Sequence, residues 1–218
     1  MDRLAGGERL SRAAAHRLSL YLRCLAATDG RVSSGEIAQA VGVSDAQVRR
    51  DLAALGNLGR RGVGYEAQEL STAIRSVLGI DRTWRAVLVG VGNLARALLR
   101  YRGFRAQGFE IVGLFDSDSS KVGQTVEGLS IEPISRLGER LRILNAELAV
   151  LTVPAEAAQG VADVLCAAGV RGILNFAPVL LKLPAPVRLV TVDLAIQLEQ
   201  LAFLIQVGEG ESRDEAAD

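Results

Sequence analysis

The chain is poor in the residue types that usually hold metals. Its 218 residues include one histidine, His16, and two cysteines, Cys24 and Cys166, which lie 142 positions apart. This composition excludes a protein-made zinc site of the usual Cys/His kind. A disulfide between the two cysteines is possible in principle, but we favour two small buried hydrophobic residues.

Long hydrophobic runs and a secretory leader are also absent. The most apolar stretch, 194–207, is interrupted by four Gln and Glu residues, whereas a membrane span needs about twenty predominantly apolar residues. Residues 1–12 alternate charged and small side chains without the apolar region of a signal peptide. With 49% apolar and 23% charged residues, the chain has the balance of a globular protein. We expect a cytoplasmic location, no membrane contact and no metal.

Lysine is scarce, and the net charge of zero conceals an uneven distribution. Residues 1–80 hold eleven arginines, no lysine and eight acidic residues, whereas residues 81–218 hold 14 basic and 17 acidic residues. Arginine suits both phosphates and guanine edges. The basic front is therefore compatible with nucleic-acid binding, although a coding bias would give the same count.

The front of the chain has the signals of a helix-turn-helix. Apolar residues at helical spacing predict a first helix over 17–27. Ser33 stands three residues before Glu36, and Ser44 three before Gln47, so that two capping boxes open two further short helices around a glycine turn. In this arrangement the second short helix lies in the major groove of DNA.

The second short helix carries polar side chains that can read base edges and hold phosphates. Gln47 suits adenine, and either Arg49 or Arg50 suits guanine. The alternative is an ordinary three-helix packing module with solvated polar faces. The predicted outward face comprises Ser44, Asp45, Gln47, Arg49, Arg50 and Ala53.

A glycine-rich stretch follows this helix. Four glycines surround Arg60 and Arg61 within 56–65, which predicts a tight hairpin of the kind that forms the wing of a winged helix and inserts arginines into a minor groove. The alternative is a solvated glycine linker. A further helix over 70–78 completes a predicted DNA-binding domain, which we assign to residues 1–80.

The second half opens with a nucleotide fingerprint. The apolar run over 85–92 predicts a strand buried on both faces, and a helix follows at once. The junction reads G-x-G-x-x-A, in which Gly90 makes the turn, Gly92 lets backbone amides approach a pyrophosphate, and Ala95 allows close helix packing. The predicted loop comprises Gly90, Val91, Gly92, Asn93, Leu94 and Ala95.

A carboxylate ends the next predicted strand. Asp116 lies 24 positions after Gly92, close to the roughly twenty residues that separate the fingerprint from a ribose-binding acid. This spacing favours NAD over NADP. Asp118 and Lys121 follow, and they either adjust the adenine end of the site or belong to a solvated loop.

Two further predicted strand ends lie where doubly wound sheets bind ligands. We expect cofactor contacts there, although proline-stopped turns would have the same sequence. The fold class that results is α/β, with an N-terminal winged helix and a C-terminal Rossmann-like doubly wound parallel sheet. The strand-end residues are Thr152, Val153, Pro154, Asn175, Phe176, Ala177 and Pro178.

The sequence lacks the usual partners of hydride transfer. The single histidine lies in the front half, and Tyr101 is followed four residues later by Arg105 instead of a lysine. We therefore expect a protein that binds a dinucleotide without transforming it, with no catalytic residue. The alternatives are a small NAD-dependent oxidoreductase with an N-terminal winged-helix module, and a winged-helix protein that binds another nucleotide such as coenzyme A.

The last predicted helix is unusually apolar. Ten of the fifteen residues in 193–207 are apolar, which is wider than one amphipathic stripe. We expect a homodimer in which this helix packs into the other subunit; a helix buried within its own subunit is the alternative. The second domain is then 81–208, for NAD(H) binding and dimerisation, and 209–218 is predicted to be a disordered acidic tail.

Several motifs together resemble the Rex redox-sensing transcriptional repressors. They include RLSLYLR (17–23), VSSGEIAQAVGVSDAQVRRDL (32–52), RRGVGY (60–65), LGIDRTW (78–84), VGVGNLARALLRYRGF (89–104), FDSDSSKVG (115–123), LTVPAEAAQ (151–159), GILNFAP (172–178) and VDLA (192–195).

This resemblance implies a homodimer that represses genes by binding a two-fold symmetric operator while NADH is scarce, and that leaves DNA when NADH binds in competition with NAD+. It also implies a redox-coupling set near the nicotinamide. The set consists of Arg23, Tyr101 and Asp193, the last one donated by the partner subunit.

Overall fold

The computed structural model of the chain describes residues 10–56, 58–60 and 63–214. The chain divides into two compact units, residues 1–83 and 84–218, close to the boundary that the sequence predicted at 80–81. Within the described ranges, no helix is long and apolar enough to cross a membrane. In the same ranges, no three His, Cys, Asp or Glu side chains are grouped to hold a metal ion.

The first unit is a helical module with a small antiparallel sheet. Strand β3 lies between β1 and β2 and pairs with both. The elements in chain order are α1 (Arg12–Leu25), β1 (Arg31–Val32), α2 (Ser34–Val41), α3 (Asp45–Ala53), β2 (Gly59–Arg60), β3 (Gly64–Glu66) and α4 (Ala67–Leu78).

Helix α1 begins five residues earlier than the sequence predicted. The side chain of Ser11 caps it by accepting a hydrogen bond from the Ala14 N–H at 3.1 Å, and three alanines follow in 13–15, which favour helix. Its apolar face packs into one core with the other helices of this unit. That core includes Leu18, Tyr21, Leu22, Ile37, Val48, Leu52, Leu70 and Ile74.

The two predicted capping boxes have different outcomes. At α2, the Ser33 N–H donates to Glu36 Oε2 at 2.7 Å, and the Glu36 N–H donates to Ser33 Oγ at 3.1 Å, which confirms the box. At α3, Ser44 Oγ accepts from the Gln47 N–H at 3.2 Å, but the Gln47 side chain turns to Asp51. The second half of that prediction was wrong: Gln47 Nε2 donates to the buried Asp51 carboxylate, and Oε1, which would have to accept from the Ser44 N–H, accepts from Arg50 Nη1 instead.

The second unit is a mostly parallel sheet with helices on its faces. The strand order is β10-β9-β8-β4-β5-β7-β6, and β6 alone among the described strands of this sheet pairs antiparallel. The elements are β4 (Trp84–Val89), α5 (Asn93–Arg100), α6 (Gly103–Ala106), β5 (Phe109–Asp116), β6 (Thr125–Val126), β7 (Leu129–Pro133), a 3₁₀ turn (Ile134–Arg136), α7 (Leu137–Ile143), β8 (Leu148–Leu151), α8 (Ala155–Ala167), β9 (Gly172–Asn175), β10 (Arg188–Thr191) and α9 (Leu194–Asp214).

The central strand β4 explains the unbroken apolar run that the sequence shows. Val87 and Val89 face the core beside α7 and α8, whereas Leu88 faces the opposite core with Ala95 of α5. Strand β4 pairs in parallel with β5 on one side and with β8 on the other. The chain order reverses at this junction, and ligands of doubly wound sheets bind at the carboxyl ends of such strands.

Helix α9 is longer than the sequence predicted. Asp193 caps its first turn, where Oδ1 accepts from the N–H groups of Ala195 and Ile196 at 2.9 and 3.4 Å. The helix runs on to Asp214, so that 209–214 continue it where a disordered tail was expected. No proline interrupts this stretch, and residues 215–218 lie outside the described ranges.

Candidate functional site

The glycine loop after β4 is shaped by close contact with the end of β8. Gly90 has φ +92°, and a Cβ atom there would lie 2.8 Å from both the Thr152 carbonyl oxygen and Val153 Cγ1. The Thr152 hydroxyl donates to the Gly90 carbonyl oxygen at 2.7 Å. Only glycine fits this position without strain, and the end of β8 therefore meets the glycine loop.

Gly92 and the first turn of α5 leave an open surface in front of the helix. A Cβ on Gly92 would meet nothing within 4 Å, and Gly92 gives α5 no side-chain cap. Asn93 and Leu94 are exposed, whereas Ala95 is fully buried against the sheet. The N–H groups of this turn and the positive end of the helix can therefore receive an anion such as a pyrophosphate.

Asp116 braces the loop from the end of β5. Its Oδ2 accepts from the Val91 N–H at 2.7 Å and from Lys121 Nζ at 3.1 Å, and its Oδ1 accepts from the Asp118 N–H at 2.9 Å. Burial alone would raise the pKa of Asp116, but these hydrogen bonds outweigh it and hold the pKa below its ordinary value. Asp116 is therefore an ionised carboxylate whose two oxygens already have partners within the chain.

Asp118 offers a more accessible carboxylate beside it. Its side chain is 45% exposed, and its Oδ1 accepts from the N–H and hydroxyl groups of Ser120 at 2.9 and 2.6 Å. These hydrogen bonds lower the pKa of Asp118. Lys121 Nζ lies 3.6 Å from Asp118 Oδ2 and so links both carboxylates.

Asn175 organises the loop after β9 from within. This side chain is fully buried. Its Nδ2 donates to the carbonyl oxygens of Ala177 and Val179 at 3.0 and 3.1 Å, and its Oδ1 accepts from the Ala177 N–H at 2.9 Å. Pro178 is exposed and Phe176 half-buried on this loop. The amide of Asn175 thus shapes the turn, and its neighbours form the surface.

The polar face of α3 is held together by its own side chains. Arg49 Nη2 lies 2.8 Å from Asp45 Oδ2. Arg50 Nη1 donates to Gln47 Oε1 at 3.2 Å, and Gln47 Nε2 donates to Asp51 Oδ1 at 2.8 Å. Both arginines remain exposed, and they present positive charge beside the capping Ser44.

Asp51 was missed as a functional candidate because its partners are distant in sequence. It is a buried carboxylate that accepts hydrogen bonds from Arg17 and from the Tyr21 hydroxyl, both on α1. No pattern in the sequence indicates such a contact, because Arg17 and Asp51 lie 34 positions apart.

The hairpin predicted as a wing is present in the backbone. Strand β2 pairs antiparallel with β3, with Gly59 opposite Tyr65. A Cβ on Gly59 would lie 2.6 Å from Tyr65 Cε1, so the tyrosine ring lies over the glycine. Arg60 belongs to β2, but its side chain, like the whole of Arg61, lies outside what the structure describes.

The predicted redox-coupling residues occupy different elements. Arg23 is exposed on α1 of the first unit. Tyr101 follows α5 in the second unit, is 56% exposed, and meets Phe104 edge to face with ring centroids 5.3 Å apart. Both aromatic residues line a cavity of about 530 Å³. Asp193 caps α9.

The two cysteines are free thiols, and both are half-buried. They belong to different units, Cys24 to the first and Cys166 to the second. Burial raises the pKa of the Cys166 thiol, which makes it a weaker nucleophile at neutral pH.

Comparison with protein families matches both units separately. Residues 9–53 match the family described as "Putative DNA-binding protein N-terminus", and residues 81–179 match the "CoA binding domain" family.

Several relatives match nearly the whole chain. It is 48% identical to the redox-sensing transcriptional repressor Rex of Desulfitobacterium hafniense, over 86% of this chain and 91% of that protein. It is 47% identical to the repressor of the same name from Carboxydothermus hydrogenoformans, over 92% and 98%.

Solved structures agree with these relatives. The crystal structure of RSP, a Rex-family repressor, in complex with β-NAD+ and operator DNA has a TM-score of 0.86 and 30% identity, covering 96% of this chain and 98% of that one. RSP in complex with β-NADH has a TM-score of 0.84 and 29% identity, covering 94% and 99%. The chain belongs to the Rex family of redox-sensing transcriptional repressors.

Proposed function

We propose that this protein is a DNA-binding transcriptional repressor that senses the balance of NADH and NAD+, binding operator DNA when NADH is low and releasing it when NADH binds. One observation carries the proposal. The same chain contains a winged helix whose third helix bears exposed arginines and a glycine loop whose open surface can receive a pyrophosphate. The curated relatives are named repressors and not enzymes, which disfavours the oxidoreductase alternative.

The residues of the second unit fit a dinucleotide. The N–H groups that follow Gly92 would receive the pyrophosphate. The sequence predicted that Asp116 binds the adenosine ribose, but both of its oxygens accept hydrogen bonds within the chain, so we assign the ribose to the more exposed Asp118, with Asp116 bracing the loop. The strand ends at 152–154 and 175–178 would line the nicotinamide side, as expected for a doubly wound sheet.

The nicotinamide would supply a difference in charge, because the oxidised ring is cationic and the reduced ring neutral. We propose that Asp193 of the partner subunit, Tyr101 and Arg23 form the polar set that responds to this difference, since a nearby carboxylate distinguishes the two rings electrostatically. Binding can then release DNA only if the two forms of the dimer hold NADH with different affinity.

The apolar surfaces that the second unit leaves open support a homodimer. Side chains along α9 are largely exposed, including Leu198 at 67% and Phe203 at 64%. The sheet also has an apolar trough of about 430 Å³, lined by Ile111, Val150 and Leu174 among others. We propose that α9 packs into a second subunit and that the dimer binds a two-fold symmetric operator in the cytoplasm.

The test is fluorescence anisotropy of a labelled two-fold symmetric duplex at fixed salt, with NADH and NAD+ added in parallel. The duplex would be selected by the protein from a pool of random sequence. We expect NADH to release the duplex and NAD+ to leave it bound. A duplex that stays bound with both nucleotides would contradict the sensing role and leave the DNA-binding role intact.

Coenzyme A is a second candidate ligand, because residues 81–179 match a family described by coenzyme A binding. Competition of coenzyme A against NADH for the purified protein decides between them. We expect coenzyme A to displace no NADH at concentrations where NAD+ does.

A further inference from the structure

We propose that Asp51, Arg17 and Tyr21 are positioning residues for DNA binding, which hold Gln47 and, through its carbonyl group, orient the guanidinium of Arg50. This inference rests on the proposed DNA-binding function and deepens it. It separates side chains that touch DNA from side chains that hold them in place.

The Asp51 carboxylate lies between α1 and α3 and is surrounded by donors. Oδ2 accepts from Arg17 Nε at 2.6 Å and from the Tyr21 hydroxyl at 2.8 Å. Oδ1 accepts from Arg17 Nη2 at 2.7 Å and from Gln47 Nε2 at 2.8 Å. The Asp51 side chain is only 4% exposed, and Tyr21 is fully buried. Removing a hydrogen-bond donor from a buried carboxylate substantially lowers the protein's free energy of unfolding. This cluster therefore resists rotation of α3 against α1.

The cluster also fixes the Gln47 amide. Nε2 is held by Asp51, and Oε1 accepts from Arg50 Nη1 at 3.2 Å. Reading adenine requires an amide to turn its N–H and its carbonyl oxygen together toward one base edge. Both ends of this amide are already engaged within α3. The geometry therefore favours a bracing role for Gln47, in place of the adenine contact that its sequence position suggests.

The cluster is a permanent feature at neutral pH. Burial and the hydrogen bond to Asp51 raise the pKa of Tyr21 to about 12, so its hydroxyl keeps the proton that it donates. Burial opposes the charge of Asp51, but its donors outweigh burial and lower its pKa. The charged neighbour of Asp51 in this cluster is Arg17, whose pKa is raised mainly by its hydrogen bond to Asp51. The brace acts by geometry and not as a pH switch.

The test is a double-mutant cycle in operator affinity with Tyr21→Phe and Arg50→Ala. Tyr21→Phe keeps the buried ring and removes the hydroxyl that donates to Asp51 Oδ2. We expect it to weaken binding of the selected duplex by about three- to tenfold, which is less than the full value of a hydrogen bond to a charged group because Arg17 and Gln47 still hold Asp51. In the Arg50→Ala background, the same substitution should have almost no effect on affinity, because the group that it orients is gone.

Matched measurements separate this outcome from simple loss of stability. Thr72→Val removes an exposed hydroxyl of the same unit, which donates only to the Gln68 carbonyl, and should leave operator affinity unchanged. NADH affinity should be unchanged in every variant. Equal losses from Tyr21→Phe in the presence and absence of Arg50 would overturn the positioning role. A wild-type protein that selects no duplex would overturn the proposed function as well.

Gln47→Ala provides a second readout, since it removes one hydrogen bond to Asp51 and leaves those from Arg17 and Tyr21 in place. If Gln47 acts by orienting Arg50, Gln47→Ala should relax the base preference only at base pairs where Arg50→Ala also relaxes it, and should weaken binding of all other single-base-pair variants by a similar factor. A base-reading Gln47 should instead abolish the preference at a base pair of its own. Loss of discrimination at a base pair that Arg50→Ala leaves unchanged would overturn the inference.

Discussion

Gly90 and Gly92 stand two positions apart in the nucleotide loop but meet different surroundings. Gly90 has a positive φ and lies against the Thr152 carbonyl, whereas Gly92 has φ −90° and faces open space. A methyl group at Gly90 must therefore distort the fold, whereas one at Gly92 is accommodated by the protein alone. The second methyl group would instead occupy the space that a pyrophosphate needs.

Gly92→Ala should therefore lower NADH affinity by at least about tenfold while the melting temperature stays within error of the wild type. Titration calorimetry and thermal melts measure the two quantities. Gly160→Ala, which also faces open space on α8, is the control for binding: it should leave NADH affinity unchanged and raise the melting temperature slightly, because alanine favours the helix interior. NADH affinity that survives in Gly92→Ala would contradict the placement of the pyrophosphate.

Asp51 makes a second prediction at the residue scale, since its pKa is lower in the folded protein than its ordinary value. A carboxylate with a depressed pKa stabilises the fold above its unfolded pKa, near 4, and loses that contribution as pH falls through the folded pKa. We expect Asp51→Asn to lower the free energy of unfolding by about 2 kcal/mol at pH 7, and by less below about pH 4.

Urea unfolding followed by circular dichroism between pH 3 and 7 checks this pH dependence. Asp29→Asn, at an exposed turn of the same unit, is the matched control and should follow the wild-type curve. A difference between Asp51→Asn and wild type that is as large at pH 3 as at pH 7 would show that the effect is not electrostatic.

At the scale of elements, hydrophobic periodicity and the capping and glycine residues at helix ends predicted most of the architecture. Gly42 and Gly79 end α2 and α4 in the left-handed conformation, and the apolar run before Gly90 is a strand covered on both faces. Such features are local, so the sequence carries them directly.

Side-chain partners were harder to predict than elements. The Gln47 side chain could bond to its own helix cap or to Asp51. It bonds to Asp51, a carboxylate that is buried against α1, and the α1 residue Tyr21 lies about thirty positions away in the sequence. The inward orientation of the Asn175 amide likewise follows from the turn after β9. The candidate site was therefore predictable as a set of loops, but the role of each polar group within it was not.

Helix α9 supports a prediction about assembly. Leu198→Glu places a charge on an apolar position that a dimer would bury, and we expect it to weaken self-association by more than about a hundredfold. Gln200→Glu adds the same charge at a polar position of the helix and should leave the dimer intact. Analytical ultracentrifugation at several concentrations measures both. A dimer of unchanged affinity in Leu198→Glu would mean that this side chain lies outside the interface.

At the scale of the whole molecule, charge and function are divided between the two units. The arginines proposed to contact DNA lie within residues 1–80, whereas the nucleotide loop belongs to the more acidic residues 81–218. Nucleotide binding changes DNA affinity only through a coupling free energy between two distinct sites. Loss of either site should therefore remove the coupling but leave the other site functional.

Paired variants test this division. Arg49→Ala should weaken operator binding, reduce the salt dependence of log K by about one unit through the loss of one phosphate contact, and leave NADH affinity unchanged. Gly92→Ala should bind the operator like the wild type but remain bound when NADH is added, since the effector no longer occupies its loop. Anisotropy titrations at several salt concentrations, with and without NADH, measure both variants together. If Arg49→Ala also lost NADH, or Gly92→Ala also lost DNA, the two units would not carry separable functions, and control by NADH would need an origin other than coupling between two sites.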